Sequence, residues 1–312
     1  MIITVTLNAS VDKLFLVEQF LPNTVMRVKA CYNSAGGKGL NVSRVAALAR
    51  EKVLATGFVG GYAGEYIRSM LERDGISSEF ITIQGETRSC INVRDLSTGK
   101  HSEFLEPGAQ VGESDLEKFL SLYQQVIKES QVVAISGSMP KGVPINFYGQ
   151  LVSMAKLQGK TVILDTSGEA LKENLASMPT MIKPNADEIR QLFYSEIYSL
   201  NDLVHAAQKL HQDGIAIVVI SMGKEGALVA CREGIFHSNA PNVEVINTVG
   251  CGDSMVAGFA VGLSRNYSLQ ECFRYAVAVS AANAMTMETG SICTADLQRL
   301  LPLVKIERIE SI

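Results

Sequence analysis

The chain predicts an α/β fold: a mostly parallel sheet with helices on both faces. Three observations carry that prediction. Short β-branched runs alternate with longer helix-patterned segments from end to end. With 312 residues, 47% of them hydrophobic, the chain can bury a large core. Polar residues with chemical potential, among them Asn8, Ser136, Asp165 and Ser221, fall just past predicted strands. Ligands gather there, beyond the carboxyl ends of strands, in open parallel sheets.

The elements follow in order. Residues 2–6 read as a first strand and 40–50 as a helix that opens with Leu40, Val42, Val45 and Ala46 on apolar positions. A strand at 53–58 and a helix at 65–74 make the next unit. Helix 113–129, strand 132–136, helix 146–158 and strand 161–165 continue the alternation. A short strand at 181–183 ends at Pro184, and Asn185 is suited to N-cap the helix 186–193. Helix 201–213 leads to strand 216–221, which closes in a glycine turn at 221–226 and passes into a further strand. The apolar segment 254–264 reads as a helix. Two stretches, about 13–32 and 88–105, alternate like strands without helices between them, and Ser97-Thr98-Gly99-Lys100 signals a hairpin turn. They predict a small antiparallel sheet added to the main one, acting as a lid over a site or as a contact with a second subunit. No linker composition or repeat divides residues 1–312, so the expectation is a single domain.

Composition excludes several function classes. The net charge is −4 with no basic block, which argues against a nucleic-acid partner. The 11 Phe and 9 Tyr form no base-stacking platform. No apolar run reaches the roughly 18 residues of a membrane span. Met1 to Leu7 lacks the basic start and apolar core of a signal peptide. Six scattered cysteines without a C-x-x-C spacing read as free thiols in a reducing cytoplasm, not as a zinc or redox motif. The four histidines pair with no Ser or Cys motif of a hydrolase.

The most informative stretch is 247–258, Asn-Thr-Val-Gly-Cys-Gly-Asp-Ser-Met-Val-Ala-Gly. Gly250, Cys251 and Gly252 precede a helix, so free N–H groups at its N-terminus converge on a small volume that favours an anion. Asp253 puts a carboxylate at its edge, and a base beside an anion hole suits phosphoryl transfer to an alcohol. Cys251 between the two glycines reads as a small filler residue, the alternative being a thiol whose pKa its neighbours lower.

A second glycine cluster, Gly36-Gly37-Lys38-Gly39-Leu40-Asn41-Val42-Ser43-Arg44, also opens a helix, now with an ammonium at Lys38 and an amide at Asn41. It has neither Walker A nor dinucleotide-fingerprint spacing. Asp12, in the segment 8–12 at the end of the first strand, either caps a turn or accepts from sugar hydroxyls. In Lys183-Pro184-Asn185-Ala186-Asp187-Glu188, Asn185 and Glu188 form a capping box or hold waters of a magnesium ion carried by nucleotide phosphates. Ser221, Gly223 and Gly226 form a turn or a nucleotide-phosphate contact. Arg88 is a surface charge or a fork for a phosphate.

Taken together these residues resemble the ribokinase-like (PfkB-type) carbohydrate kinases. Asp12, GGKGLNVSR at 36–44, KPNADE at 183–188, SMGKEG at 221–226 and the Gly-x-Gly-Asp loop occur in that family's order across nearly the whole chain. TLNASVD at 6–12, GFVGGYAGEYI at 57–67, TRSCINV at 87–93, EFLEPG at 103–108 and SGSMPKGVP at 136–144 resemble its phosphohexose branch, which contains 1-phosphofructokinases and tagatose-6-phosphate kinases. The resemblance implies a three-layer sandwich with a small β lid that also forms a homodimer contact. It implies an ATP- and Mg²⁺-dependent cytoplasmic kinase, with a phosphorylated hexose as acceptor. Asp253 would be the base, with the N–H groups of Gly250 to Asp253 as anion hole. Asp12, Gly37 and Asn41 would hold sugar hydroxyls. Lys38, Arg88 and Ser138 would hold the sugar's own phosphate, and Arg27 would reach it from the same or a neighbouring subunit. Lys183, Asn185, Glu188, Ser221, Gly223 and Gly226 would lie along ATP and its magnesium. Two positions depart from the branch, Ala9 where proline is usual and Cys251 where alanine is usual. A kinase of an unphosphorylated acceptor, or a sugar-phosphate sensor without catalysis, are the alternative readings.

Overall fold

The computed structural model describes residues 1–193 and 199–309. In chain order its strands are β1 (Ile2–Thr6), β2 (Ser10–Val17), β3 (Ala30–Gly36), β4 (Val53–Val59), β5 (Ser77–Thr82), β6 (Arg88–Asp95) and β7 (His101–Leu105). There follow β8 (Val132–Ser136), β9 (Thr161–Asp165), β10 (Met181–Ile182), β11 (Ile217–Ser221), β12 (Ala227–Cys231), β13 (Gly234–Ser238) and β14 (Glu307–Ile309). The helices are α1 (Lys38–Leu48), α2 (Gly61–Arg73), α3 (Glu113–Val126), α4 (Phe147–Leu157) and α5 (Gly168–Asn174). After these come α6 (Ala186–Phe193), α7 (Leu200–Gln212), α8 (Cys251–Ser264), α9 (Leu269–Ala284) and α10 (Thr294–Leu300).

A ten-stranded sheet runs in the order β14-β13-β12-β11-β10-β9-β8-β1-β4-β5. From β5 to β11 all neighbours are parallel, and β12, β13 and β14 add an antiparallel edge. Strands such as β1 and β8 are buried along their whole length, as apolar runs covered on both faces must be. Alternate residues feed two cores. Ile2, Val132 and Ala134 pack with α1, α2, α8 and α9, whereas Ile3, Val133 and Ile135 pack with α3, α4 and α7. The result is the three-layer α/β/α sandwich expected from the alternation.

A second sheet of four strands has the order β3-β2-β6-β7. The sequence predicts it as antiparallel, and its two hairpin-like pairs are, but its central pair β2·β6 is parallel. Strand alternation reveals which side chains share a face. It carries no information on the direction of a partner 78 residues away. The expected span 13–32 is also redrawn: strands occupy Ser10–Val17 and Ala30–Gly36, and the residues between them make no strand. Among the described residues, no helix is long and apolar enough to cross a membrane.

Candidate active site

Two glycine turns set the site. Gly250 caps α8 with φ +82, and a Cβ there would stand 2.7 Å from Thr289 Cγ2, so only glycine fits. The helix begins at Cys251, three positions before the sequence expectation, which puts Asp253 in its first turn. The Cys251 N–H donates to Thr248 O at 3.3 Å. Those of Gly252 and Asp253 find no acceptor among the described residues and are free to bind an anion. Asp253 is 7% exposed, and its Oδ2 accepts from Asn41 Nδ2 at 2.8 Å. Burial pushes its carboxyl up to about 6; Asp165 adds to that, whereas Lys38, the Asn41 hydrogen bond and Lys183 pull it back.

The other turn starts α1. Gly37 is its N-cap at φ +100, and Gly39 sits so near β1 that a Cβ would meet Thr6 Oγ1 at 2.2 Å. Lys38 therefore opens the helix beside the strand ends. Its Nζ lies 3.6 Å from Asp165 Oδ2, and Lys183 Nζ lies 3.4 Å from Asp165 Oδ1. The Asp165 carboxylate holds the Lys38 ammonium above its ordinary range. Asp165 is 2% exposed, and neither oxygen accepts a hydrogen bond. Its place at the end of β9 is legible in the sequence, but its partnership with two lysines is not. The available signal was an ionisable residue closing an otherwise apolar strand.

Across the site, Asp12 is the third residue of β2 instead of lying at the end of β1. Its Oδ1 accepts from Ser10 Oγ at 2.6 Å, and Gly36 leaves its carboxylate room: a Cβ there would fall 2.0 Å from Asp12 Cγ. Burial raises the Asp12 pKa, against Ser10, Arg88 and Arg44. Arg88 Nε and Nη2 donate to Asn8 O at 3.2 and 3.0 Å, and Nη1 donates to Glu106 O at 3.0 Å. Its fork is thus braced by backbone with donors to spare. Ser138 Oγ accepts from Asn8 Nδ2 at 3.2 Å. Lys38 stands with Asp165 and Asp253, whereas Arg88 stands with Asp12 and Asn8, so the two cations mark separate points.

Asp12, Gly37, Lys38, Asn41, Arg88, Ser138, Gly250 and Asp253 all line one cavity of about 680 Å³. Lys183 adjoins it through Asp165 and Gly252, where a Cβ would meet Lys183 Nζ at 3.3 Å. Asn185, Glu188, Ser221, Gly223 and Gly226 lie outside that lining. Asn185 N donates to Glu188 Oε2 and Glu188 N to Asn185 Oδ1, both at 2.8 Å, so the capping box is formed. Asn185 also bridges Ser221, and the Glu188 charge is felt at Lys38. Gly226 holds φ +85 against Ser238 O, where any side chain would collide. Arg27 is exposed and away from the cavity. Burial raises the Cys251 thiol pKa and Asp253 adds to it, against hydrogen bonds with Asn283 and Ser280, which fits a small filler and not an activated thiol.

Residues 3–296 match the description "pfkB family carbohydrate kinase". The chain is 40% identical to a tagatose-6-phosphate kinase of Staphylococcus epidermidis, covering 98% of this chain and 99% of that one. It is 37% identical to a 1-phosphofructokinase of Bacillus subtilis over 99% of this chain and 100% of the relative. Phosphofructokinase-2 from Escherichia coli, solved with potassium, superposes with a TM-score of 0.91 at 32% identity, covering 97% of this chain and 98% of that one. The chain belongs to the pfkB family of carbohydrate kinases and is a phosphotransferase whose acceptor is a hydroxyl group.

Proposed function

We propose that the protein transfers the terminal phosphoryl group of ATP to a hydroxyl of a phosphohexose, fructose 1-phosphate or tagatose 6-phosphate, giving a hexose bisphosphate and ADP. The observation that carries this is Asp253: a buried carboxylate on the first turn of α8, beside free N–H groups and facing the cavity that also holds Asp12 and Arg88. Asp253 takes the acceptor's proton as the hydroxyl oxygen bonds to phosphorus and the bond to the ADP oxygen breaks. The N–H groups of Gly252 and Asp253, with Lys38, carry the charge on the migrating group. Asp12, Gly37 and Asn41 orient the sugar hydroxyls. Arg88, with Ser138 beside it, is assigned to the phosphate that the acceptor already bears. The sequence expectation placed Lys38 there too; its position between Asp165 and Asp253 supports the transfer point instead.

Lys183, Ser221, Gly223 and Gly226 are assigned to the nucleotide, beyond the ends of β10 and β11. The capping box uses one oxygen each of Asn185 and Glu188, which leaves the second Glu188 oxygen for a water of magnesium. Magnesium keeps several waters when phosphates carry it, so such a donor set fits. When bound, the ion would neutralise phosphate charge. The whole chain would act as one cytoplasmic kinase domain, with the four-stranded sheet as lid and as homodimer contact. Release of ADP is the test, measured with fructose, fructose 1-phosphate, fructose 6-phosphate and tagatose 6-phosphate as acceptors. We expect turnover on fructose 1-phosphate or tagatose 6-phosphate. Preference for unphosphorylated fructose, or binding with no ADP release, would overturn the reading.

A further inference from the structure

Arg44 is a buried charge with more anchors than its place on a helix demands. It is 9% exposed, and its Nε lies 3.5 Å from Asp74 Oδ2 at the end of α2. Nη2 donates to Ala35 O, the last residue but one of lid strand β3. Nη1 donates to Thr289 O at 2.9 Å, in the loop whose Thr289 methyl packs on Gly250. The same Nη1 donates to Asn41 Oδ1 at 3.4 Å. Gly290 seals this corner: a Cβ there would stand 3.0 Å from both Arg44 Nη1 and Asn41 Cβ.

That contact decides how the Asn41 amide points. A guanidinium only donates, so Arg44 requires the oxygen of Asn41 on its side. The amide nitrogen is then turned to Asp253 Oδ2 at 2.8 Å, where it donates to the carboxylate. A flipped amide would set two donors against each other at Arg44 and two acceptors against each other at Asp253.

We propose that Arg44 is a positioning residue for phosphoryl transfer: it locks the Asn41 amide in the one orientation that donates to Asp253. Arg44 also lines the cavity, but in this role its hydrogen bonds and its ion pair go to protein groups. The proposal rests on Asp253 being the base. Three charged groups face Asp253 from the elements around it: Lys38 on α1, Asp165 on β9 and Lys183 after β10. Arg44 is not one of them, so its influence runs through the amide and not through its own field. Its own facing charges are Asp74, Asp12 and Glu288. Without Arg44 only the Asp253 carboxylate itself opposes the flip, so the amide can turn its oxygen to accept from the protonated carboxyl, and the preference for the ionised form weakens.

The test is the pH profile of kcat/KM for Arg44→Met and Arg44→Lys, alone and in an Asn41→Leu background. Asn41→Leu removes the amide and moves the acid limb up. Arg44→Met is expected to move that limb up by roughly half to one pH unit, with Arg44→Lys in between. In the Asn41→Leu background Arg44→Met should add no further shift, because its route is gone. An Arg44→Met limb that superimposes on the wild type overturns the proposal, as does a shift that persists undiminished without Asn41. Should Arg44→Met fail to fold, Arg44→Lys and Asp74→Asn, which loosens the anchor, carry the same comparison. Asp253→Asn separates the two claims: wild-type turnover in that variant sinks the base, whereas lost turnover beside unmoved Arg44 limbs sinks only the positioning role.

Discussion

The role proposed for Asp253 requires an ionised carboxylate, yet the residue is placed where ionisation is costly. Burial raises its pKa to about 6, and only Lys38, Lys183 and Asn41 hold it that low. A base with that value is poised near neutral pH, where proton-transfer catalysis is most effective. The expected consequence is that kcat/KM falls about tenfold per unit as pH drops below the Asp253 value of about 6. Asp253→Asn should lower turnover by roughly 10²–10⁴-fold, while calorimetry still finds nucleotide binding. A variant with unchanged turnover would remove Asp253 from the chemistry. Linkage gives a second readout. The folded pKa lies above the ordinary 3.8, so the folded state holds its proton more tightly than the unfolded chain. Stability contributed by that proton is full below about 4 and is lost as pH rises through about 6. Relative to Asp253→Asn, the wild type should therefore lose melting temperature across that window. A constant difference across it would show that the carboxyl titrates normally.

One helix pair holds these charges in register. Helix α8 is apolar on all sides and packs along α9 so closely that a Cβ on Gly258 would lie 2.5 Å from Ala276 Cα. Gly262 meets Cys272 in the same way, with 2.7 Å to its Sγ. Because backbone, not a flexible side chain, limits Gly258, α8 has to shift to admit a methyl group. Gly258→Ala is expected to cost about 1–3 kcal/mol and to lower kcat, since Asp253 and its N–H groups ride on that helix. Thermal unfolding at wild-type midpoint would contradict the packing. These elements also show what the sequence made legible. The glycine turns at 36–39 and 250–252 announced α1 and α8, because their meaning is local: special backbone geometry followed by helical periodicity. Strands β1, β8 and β9 fell at their predicted bounds for the same reason. Helix α9 was missed although Ser268 and Glu271 form a capping box at its start, because its second half, from Ala276 to Ala284, is nearly all apolar or small and sets no period. The parallel β2·β6 pair and the two lysines on Asp165 escaped because partners distant in sequence create them. Capping, by contrast, was readable at Asn185 and Glu188, where three-residue spacing is the whole device.

At the scale of the molecule, the proposed homodimer contact bears on the four-stranded sheet. Its register puts Asp12, Leu14, Tyr32, Cys90, Asn92 and Leu105 on the side that lines the cavity. Yet Tyr32 is 45% and Leu105 65% exposed, large apolar side chains on the edge strands β3 and β7. An edge that presents free backbone and apolar side chains invites pairing with another chain. The homodimer proposed above would cover it with a second copy of the same sheet, because a twofold contact sets the patch against itself. In that proposed dimer, closing the lid would be a property of the pair, and the acceptor end of the cavity would be shielded from water by both copies. Placing carboxylates in the contact tests this. Tyr32→Glu with Leu105→Glu is expected to give a monomer by sedimentation equilibrium and to raise the acceptor KM by roughly tenfold or more, equivalent to about 1.4 kcal/mol. The KM for ATP should stay near its original value, because Lys183, Ser221 and Gly226 lie at the other end of the strand row. A double variant that remains dimeric would move the interface elsewhere. One that is monomeric with an unaltered acceptor KM would leave the sheet as a subunit contact without a part in binding.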